Sequence, residues 1–222
     1  MYSPRMTIEG ERAIVDARTI VLVEGVSDQL AVHALADRYG RDLGAEGVRV
    51  LPMGGATNIG HFLNRFGPAG SDSRLAGLCD EAEAGVFRRG LRRAGIASPL
   101  TSHDLESHGF FSCAPDLEGE LVRALGVAAI EQILADEGDL ASFRTFAQQP
   151  AQREKSDEAR LRRFMGTRGG RKIHYAPLLV RSRRDSPCGG PHAVPLPTIP
   201  ATDHHASCAG RVPRVIDPDR GV

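Results

Sequence analysis

Apolar positions in the first half of the chain fall into short continuous runs that alternate with helical spacings. Residues 19–24 are apolar or β-branched up to Glu24 and are closed by Gly25. A short unbroken run of this kind marks a strand buried on both faces. From Ser27 to Tyr39 the spacing changes to three and four, with Leu30, Ala31, Ala34 and Leu35 in register and Gly40 as a stop. The alternation then repeats. Residues 48–52 predict a second strand, Gly54-Gly55 a turn, and residues 59–66 a helix. Residues 75–79 predict a third strand ending on Asp80. Residues 83–94 predict an amphipathic helix with Val86, Phe87 and Leu91 on its apolar face. Residues 109–113 predict a fourth strand, followed by Pro115 and a helix over 116–125.

Strand and helix alternating through short connections imply βαβ crossovers, hence an α/β fold with a mainly parallel sheet of about four strands flanked by helices. In such sheets functional groups gather at the carboxyl ends of the strands. Glu24, Asp80 and Asp116 each lie just past a predicted strand end. Residues 127–181 read as helical, in pieces separated by Gly126, Gly138 and Gly166, with Gly169-Gly170 preceding the last. After Arg184 the apolar period stops, and Pro, Gly, Ser and His dominate. That composition predicts disorder. The expected organisation is an N-terminal extension (1–18), an α/β core (19–126), a helical C-terminal part (127–184) and a disordered tail (185–222).

Charge narrows the partners. The 222 residues carry 28 Lys and Arg against 28 Asp and Glu. No global basic field draws the chain to nucleic acid, so contact must come from local patches. Two arginine groups are candidates for phosphate contact: Arg88, Arg89, Arg92 and Arg93, and Arg160, Arg162, Arg163, Arg168 and Arg171. A solvated helix face is the alternative, and Glu154, Asp157 and Glu158 favour it for part of the second group. Lysine is confined to Lys155 and Lys172, so each invites a role. The four cysteines are widely spaced and fit no disulfide framework. Cys79 and Cys113 sit in strand-like runs and are expected as buried thiols. Cys188, His192, His204, His205 and Cys208 are spaced too loosely for zinc. No secretory segment or membrane span is apparent, so a soluble cytoplasmic protein is expected.

Glu24, Asp28, Asp80, Glu83, Asp116, Glu118 and Lys172 together could carry chemistry. Mg²⁺ and Mn²⁺ take oxygen ligands, and Mg²⁺ keeps several waters. Such ions can activate a water and stabilise the leaving oxygen of a phosphodiester. Crowded carboxylates resist ionising together unless cations neutralise them. A nearby lysine supplies a compact positive charge to the transition state. Each acid also has a plainer reading as a helix cap or solvated residue, and Asp116 before Leu117 fits an N-cap. Glu24 differs, because it ends an apolar run where burial without a partner is costly.

Val23-Glu24-Gly25-Val26-Ser27-Asp28 resembles the opening motif of the TOPRIM domain, in the version found in OLD-type nucleases. The resemblance continues through Met53-Gly54-Gly55 and Asn58-Ile59 at the second strand and turn. Leu78-Cys79-Asp80 is similar to the strand carrying the family's Asp-x-Asp motif. Residues 115–121 are similar to its later acidic segment. Gly169-Gly170-Arg171-Lys172, with Tyr175-Ala176, is similar to the segment whose lysine assists cleavage. The resemblance spans roughly residues 19–181. It implies a Rossmann-like TOPRIM fold and a Mg²⁺- or Mn²⁺-dependent DNA endonuclease. Glu24 and Lys172 would be catalytic. Glu24, Asp28, Asp80 and Glu118 would be metal ligands, with Glu83 and Asp116 as weaker candidates.

Two departures shape the expectation. Ala82 stands where the second Asp of Asp-x-Asp belongs, between Glu81 and Glu83. OLD proteins carry an ATPase domain ahead of the TOPRIM domain, so a stand-alone form working with a separate ATPase is expected. The segment from Gly55 to Phe62 has the glycine spacing of a phosphate loop but lacks its Lys and Ser/Thr, and reads as a turn. Two alternatives remain at this stage. One is a catalytically weak or inactive module that binds nucleic acid or a partner ATPase. The other is a phospho-acceptor receiver domain, which wants adjacent acids where this chain has Glu24-Gly25.

Overall fold

The computed structural model describes residues 17–96 and 102–182. Most of the expected N-terminal extension, and the 185–222 tail with its cysteines and histidines, lie outside the described residues.

Strand β1 (Thr19–Val23) is buried along its whole length. It pairs in parallel with β2 (Val48–Pro52) on one side and β3 (Arg74–Asp80) on the other, and β4 (Phe110–Cys113) joins β3 in parallel. The strand order is β2-β1-β3-β4. Leu22 stands opposite Leu51 and Gly77, so the carboxyl ends of β1 and β3 lie side by side. The chain leaves β1 for β2 on one side, then crosses back to β3 on the other. The end of β1 is therefore the switch point of the sheet, where α/β folds open a crevice.

The continuous apolar character of β1 follows from helices on both faces. Val21 and Val23 enter one core with α1 (Val26–Arg38), while Ile20 and Leu22 enter a second. The second core is formed with α2 (Ile59–Phe66), α3 (Ala84–Arg93) and α4 (Ser102–Ser107). The later helices join the α1 side. They are α5 (Leu117–Leu125), α6 (Val127–Asp136), α7 (Leu140–Ala147), α8 (Asp157–Gly166) and α9 (Gly169–Ser182). Helix α9 lies along α1, with Arg38 Nη1 donating to the Val180 carbonyl at 3.1 Å. Its buried Tyr175 donates to Asp139 Oδ2 at 2.9 Å. These contacts fix the height at which α9 presents Lys172 to α5.

The predicted fold class holds, with three local differences. Helix α4 occupies a Ser- and His-containing stretch with no apolar period to announce it. Strand β3 begins at Arg74, one residue before the expected start at 75, and ends on Asp80 as expected. Gly169 and Gly170 form the first turn of α9 instead of preceding it. Cys79 and Cys113 are buried free thiols as expected, and burial pushes the Cys79 thiol up to about 12. No described helix is long and apolar enough to cross a membrane.

Gly77 lets the two central strands approach each other. A Cβ there would stand 2.6 Å from the Phe110 ring and 3.0 Å from the Leu22 carbonyl oxygen. Phe110 is fully buried, so its ring can move only by displacing core neighbours. Gly77→Val is expected to destabilise by about 1–3 kcal/mol, the usual range for overpacking. Urea unfolding checks this, and an unchanged midpoint would show that the sheet can spread there.

Candidate functional site

Glu24 follows β1 at the switch point, and its backbone is held there. Gly55 N–H donates to the Glu24 carbonyl at 3.0 Å, and Met53 N–H to the Val23 carbonyl at 2.8 Å. Gly54 and Gly55 turn with φ of 72° and 121°, left-handed values that suit glycine. The Glu24 side chain is partly buried, and its Oε2 has no hydrogen-bond partner among the described residues. Burial raises its pKa first, with Glu83 and Glu118 adding repulsion and Lys172 opposing them.

Asp28 lies in the first turn of α1, where its Oδ2 accepts from Gly25 N–H at 2.8 Å. Burial pushes its carboxyl up to about 6 against the lowering effect of that hydrogen bond, and Glu118 and Glu24 add to the rise. Asp80, on the neighbouring strand, is pushed up to about 7 by burial and then by Glu24, Asp116, Asp28 and Glu118. Four acids distant in sequence thus act on Asp80 at once. Glu83 lies in the 3₁₀ turn Glu81–Glu83 directly after β3, and Ala82 in that turn is exposed.

Asp116 is the N-cap of α5. Its Oδ1 accepts from Gly119 N–H at 2.8 Å, and its Oδ2 from Arg162 Nε at 2.7 Å. Both oxygens are engaged, in agreement with the capping interpretation of this residue. Glu118, in the first turn of α5, is only 3% exposed. Its Oε2 accepts from Lys172 Nζ at 2.9 Å across 54 residues, while its Oε1 has no partner among the described residues. Burial pulls the Lys172 ammonium down, but the Glu118 hydrogen bond and the fields of Glu118, Asp116 and Asp80 outweigh it and leave the pKa raised.

Glu24, Asp28, Asp80 and Glu118 therefore share one electrostatic neighbourhood with Lys172 at the carboxyl end of the sheet. Glu83 touches it through Glu24, and Asp116 through Asp80. Among the described residues no three His, Cys, Asp or Glu side chains stand so close that they could hold a metal ion between them. Asp28 is turned to Gly25 and Glu118 to Lys172, which spreads the set. The donors still suit a hard divalent cation. They are all carboxylate oxygens, and two of them are buried without a partner. Mg²⁺ needs only one or two protein carboxylates beside its waters.

The arginine groups divide. Arg160 donates to the Gln152 and Arg153 carbonyls and to Asp157, so it braces a turn. Arg171 stacks its guanidinium 3.7 Å over the Phe164 ring and reaches Thr167. Arg89 and Arg93 line a cleft of about 370 Å³ with Thr57, Gly60 and Asn64, on the other side of the sheet. The pairing of Asp116 with Arg162 carried no signal in the sequence, since 46 residues separate the two.

Residues 17–72 match the family described as overcoming lysogenization defect protein-like, TOPRIM domain. Two solved structures are similar over most of the chain. The C-terminal region of the Xanthomonas campestris pv. campestris OLD protein aligns with a TM-score of 0.56 and 23% identity, over 74% of this chain and 85% of that one. The C-terminal region of the Burkholderia pseudomallei OLD protein aligns with a TM-score of 0.57 and 22% identity, over 76% and 91%. No curated protein matches the chain. Residues 17–72 are thus similar to an OLD-like TOPRIM domain, and the four-stranded parallel sheet with its helices has the fold of the OLD C-terminal regions.

Proposed function

We propose that the chain is a Mg²⁺- or Mn²⁺-dependent endonuclease acting on DNA phosphodiesters, working in the cytoplasm with a separate ATPase. In this reading residues 19–126 form the catalytic core, and residues 127–184 supply Lys172. The observation that carries it is the pair of buried, partnerless carboxylate oxygens, Glu24 Oε2 and Glu118 Oε1, beside one lysine. A buried anion without a donor is costly unless a cation completes it.

Glu24, Asp28, Asp80 and Glu118 would hold the ion, with Glu83 and Asp116 at the margin. The ion would polarise the phosphodiester and stabilise the leaving oxygen. Glu24 would also take a proton from an attacking water. Lys172 brings a positive charge to the developing negative charge on the phosphate. The raised carboxyl pKa values suit this role, because acids that repel one another favour a cation that relieves the repulsion.

Nicking of supercoiled plasmid tests the reading. Wild type is expected to nick with Mg²⁺ or Mn²⁺ and not in EDTA. Lys172→Ala is expected to lose about 100-fold in rate, the usual scale for removing one charge-stabilising group. Lys172→Ala should also lower the melting temperature in EDTA, because the buried Glu118 loses its donor. Added Mg²⁺ should restore part of that loss. Equal nicking by the variant and wild type would sink the assignment of Lys172.

Ala82 favours a second reading, a module that binds one ion and a nucleic acid or ATPase without cutting. Calorimetric titration with Mg²⁺ separates the two. One weak site and no plasmid nicking would support the binding module.

A further inference from the structure

We infer that the cleft between α5, α8 and the turn at residues 150–155 is a binding site for a backbone phosphate of the nucleic-acid strand, next to the phosphate that Lys172 serves. This inference rests on the proposed substrate class and adds a named subsite to it. The cleft has a volume of about 320 Å³ and is lined by Asp116, Glu118, Lys155, Arg162, Arg163 and Lys172. Ala159 and Gly166 complete its wall on α8 and leave room for a ligand. The two lysines of the whole chain both line it.

The two acids of the cleft are already matched, Asp116 by Arg162 at 2.7 Å and Glu118 by Lys172 at 2.9 Å. Among the described residues the Lys155 ammonium bonds to the neutral Gln152 side chain, at 3.0 Å, and to no carboxylate. Arg163 makes no ion pair among the described residues. The cleft thus carries a surplus of two positive charges in a protein whose formal net charge is zero.

The surplus is also held in place. Gln152 is buried, and Arg160 ties the Gln152 and Arg153 carbonyls to α8. The turn carrying Lys155 therefore has a fixed position relative to Arg163. The acids that argued for a merely solvated face, Glu154, Asp157 and Glu158, do not line the cleft. Lys and Arg side chains around a small polar cleft suit a phosphodiester, and contacts of this kind position a strand without reading its sequence. Lys172 and Glu118 belong both to this cleft and to the acid cluster, so a strand lying in it would run directly to the site of cleavage.

The test uses the full chain and a fluorescein-labelled DNA duplex in EDTA, where binding is read without cleavage. Lys155→Ala/Arg163→Ala is compared with wild type and with Arg144→Ala, an exposed arginine on α7 away from the cleft. The double variant is expected to bind at least 10-fold more weakly. Its log–log salt slope should be shallower by about one to two, as expected for one or two lost phosphate contacts. Arg144→Ala should change neither quantity. Equal affinity and slope in the double variant and wild type would overturn the inference, as would no duplex binding by wild type. Circular dichroism at matched temperature excludes misfolding as the cause of a loss. Wild type that binds through this cleft but never nicks plasmid would sink the nuclease reading and leave the phosphate site standing.

Discussion

Glu24→Gln is expected to lower metal-dependent plasmid nicking by at least 100-fold while raising the melting temperature of the metal-free protein. The two effects have one origin. Glu24 carries a raised pKa because burial and the neighbouring Glu83 and Glu118 oppose its charge. Gln keeps the shape and removes the charge, so repulsion in the acid cluster falls. The same change removes an anionic oxygen, Oε2, that has no partner among the described residues. A 100-fold rate loss corresponds to about 2.7 kcal/mol of barrier, within the range one ligand or proton acceptor supplies. A variant that is more stable and less active has not lost its fold, so the rate loss would report on chemistry. Thermal melting in EDTA and with Mg²⁺ completes the measurement. Wild type should gain stability with Mg²⁺, and the variant should gain less. Unchanged nicking would remove Glu24 from the mechanism.

Much of this arrangement could be read in the sequence where local pattern and burial agree. β1 was legible because both faces are buried, which leaves an unbroken apolar run that only Glu24 ends. The acids at the sheet's end followed from chain alternation alone, since parallel strands point their carboxyl ends the same way. Strand order did not follow, because nothing in the pattern of β2 or β3 says on which side of β1 each will lie. Helix α4 escaped notice because six residues with no apolar repeat give no periodic signal. The Glu118–Lys172 bond spans 54 residues and depends on how α9 lies along α1, which is settled by packing of Tyr175, Ala176 and Leu179. The second arginine group could not be divided from sequence for a related reason. Spacing puts five arginines near one another, but only tertiary contacts separate Arg160 and Arg171, which brace the fold, from Arg162 and Arg163, which line the cleft.

The metal-free protein is expected to lose stability as pH rises from about 4 to about 7, and Asp80→Asn is expected to remove much of that slope. Asp80 is raised from its ordinary 3.8 to about 7, and Asp28 to about 6. A carboxyl whose folded pKa lies above its unfolded value binds its proton more tightly when folded. Stability therefore falls as pH rises through the interval between the two values, and it is flat where both states are protonated or both are ionised. The groups that face Asp80 agree with this sign: Glu24, Asp116, Asp28 and Glu118 repel its charge, while Lys172 attracts it. Asp80 is partly exposed, so solvent screening reduces the effect to on the order of 1 kcal/mol, or about 2–4 °C in melting temperature for a chain of this size. At pH 8 in EDTA, Asp80→Asn should melt higher than wild type by that amount, and at pH 4 the two should coincide. Mg²⁺ should act in the opposite sense, stabilising wild type most at pH 8, where the carboxylates are ionised and available to it. A pH 4–8 melting series of both proteins, with and without Mg²⁺, decides the matter. A wild-type protein that is more stable at pH 8 than at pH 5 in EDTA, with the variant following in parallel, would show that the acids at the sheet's end do not burden one another.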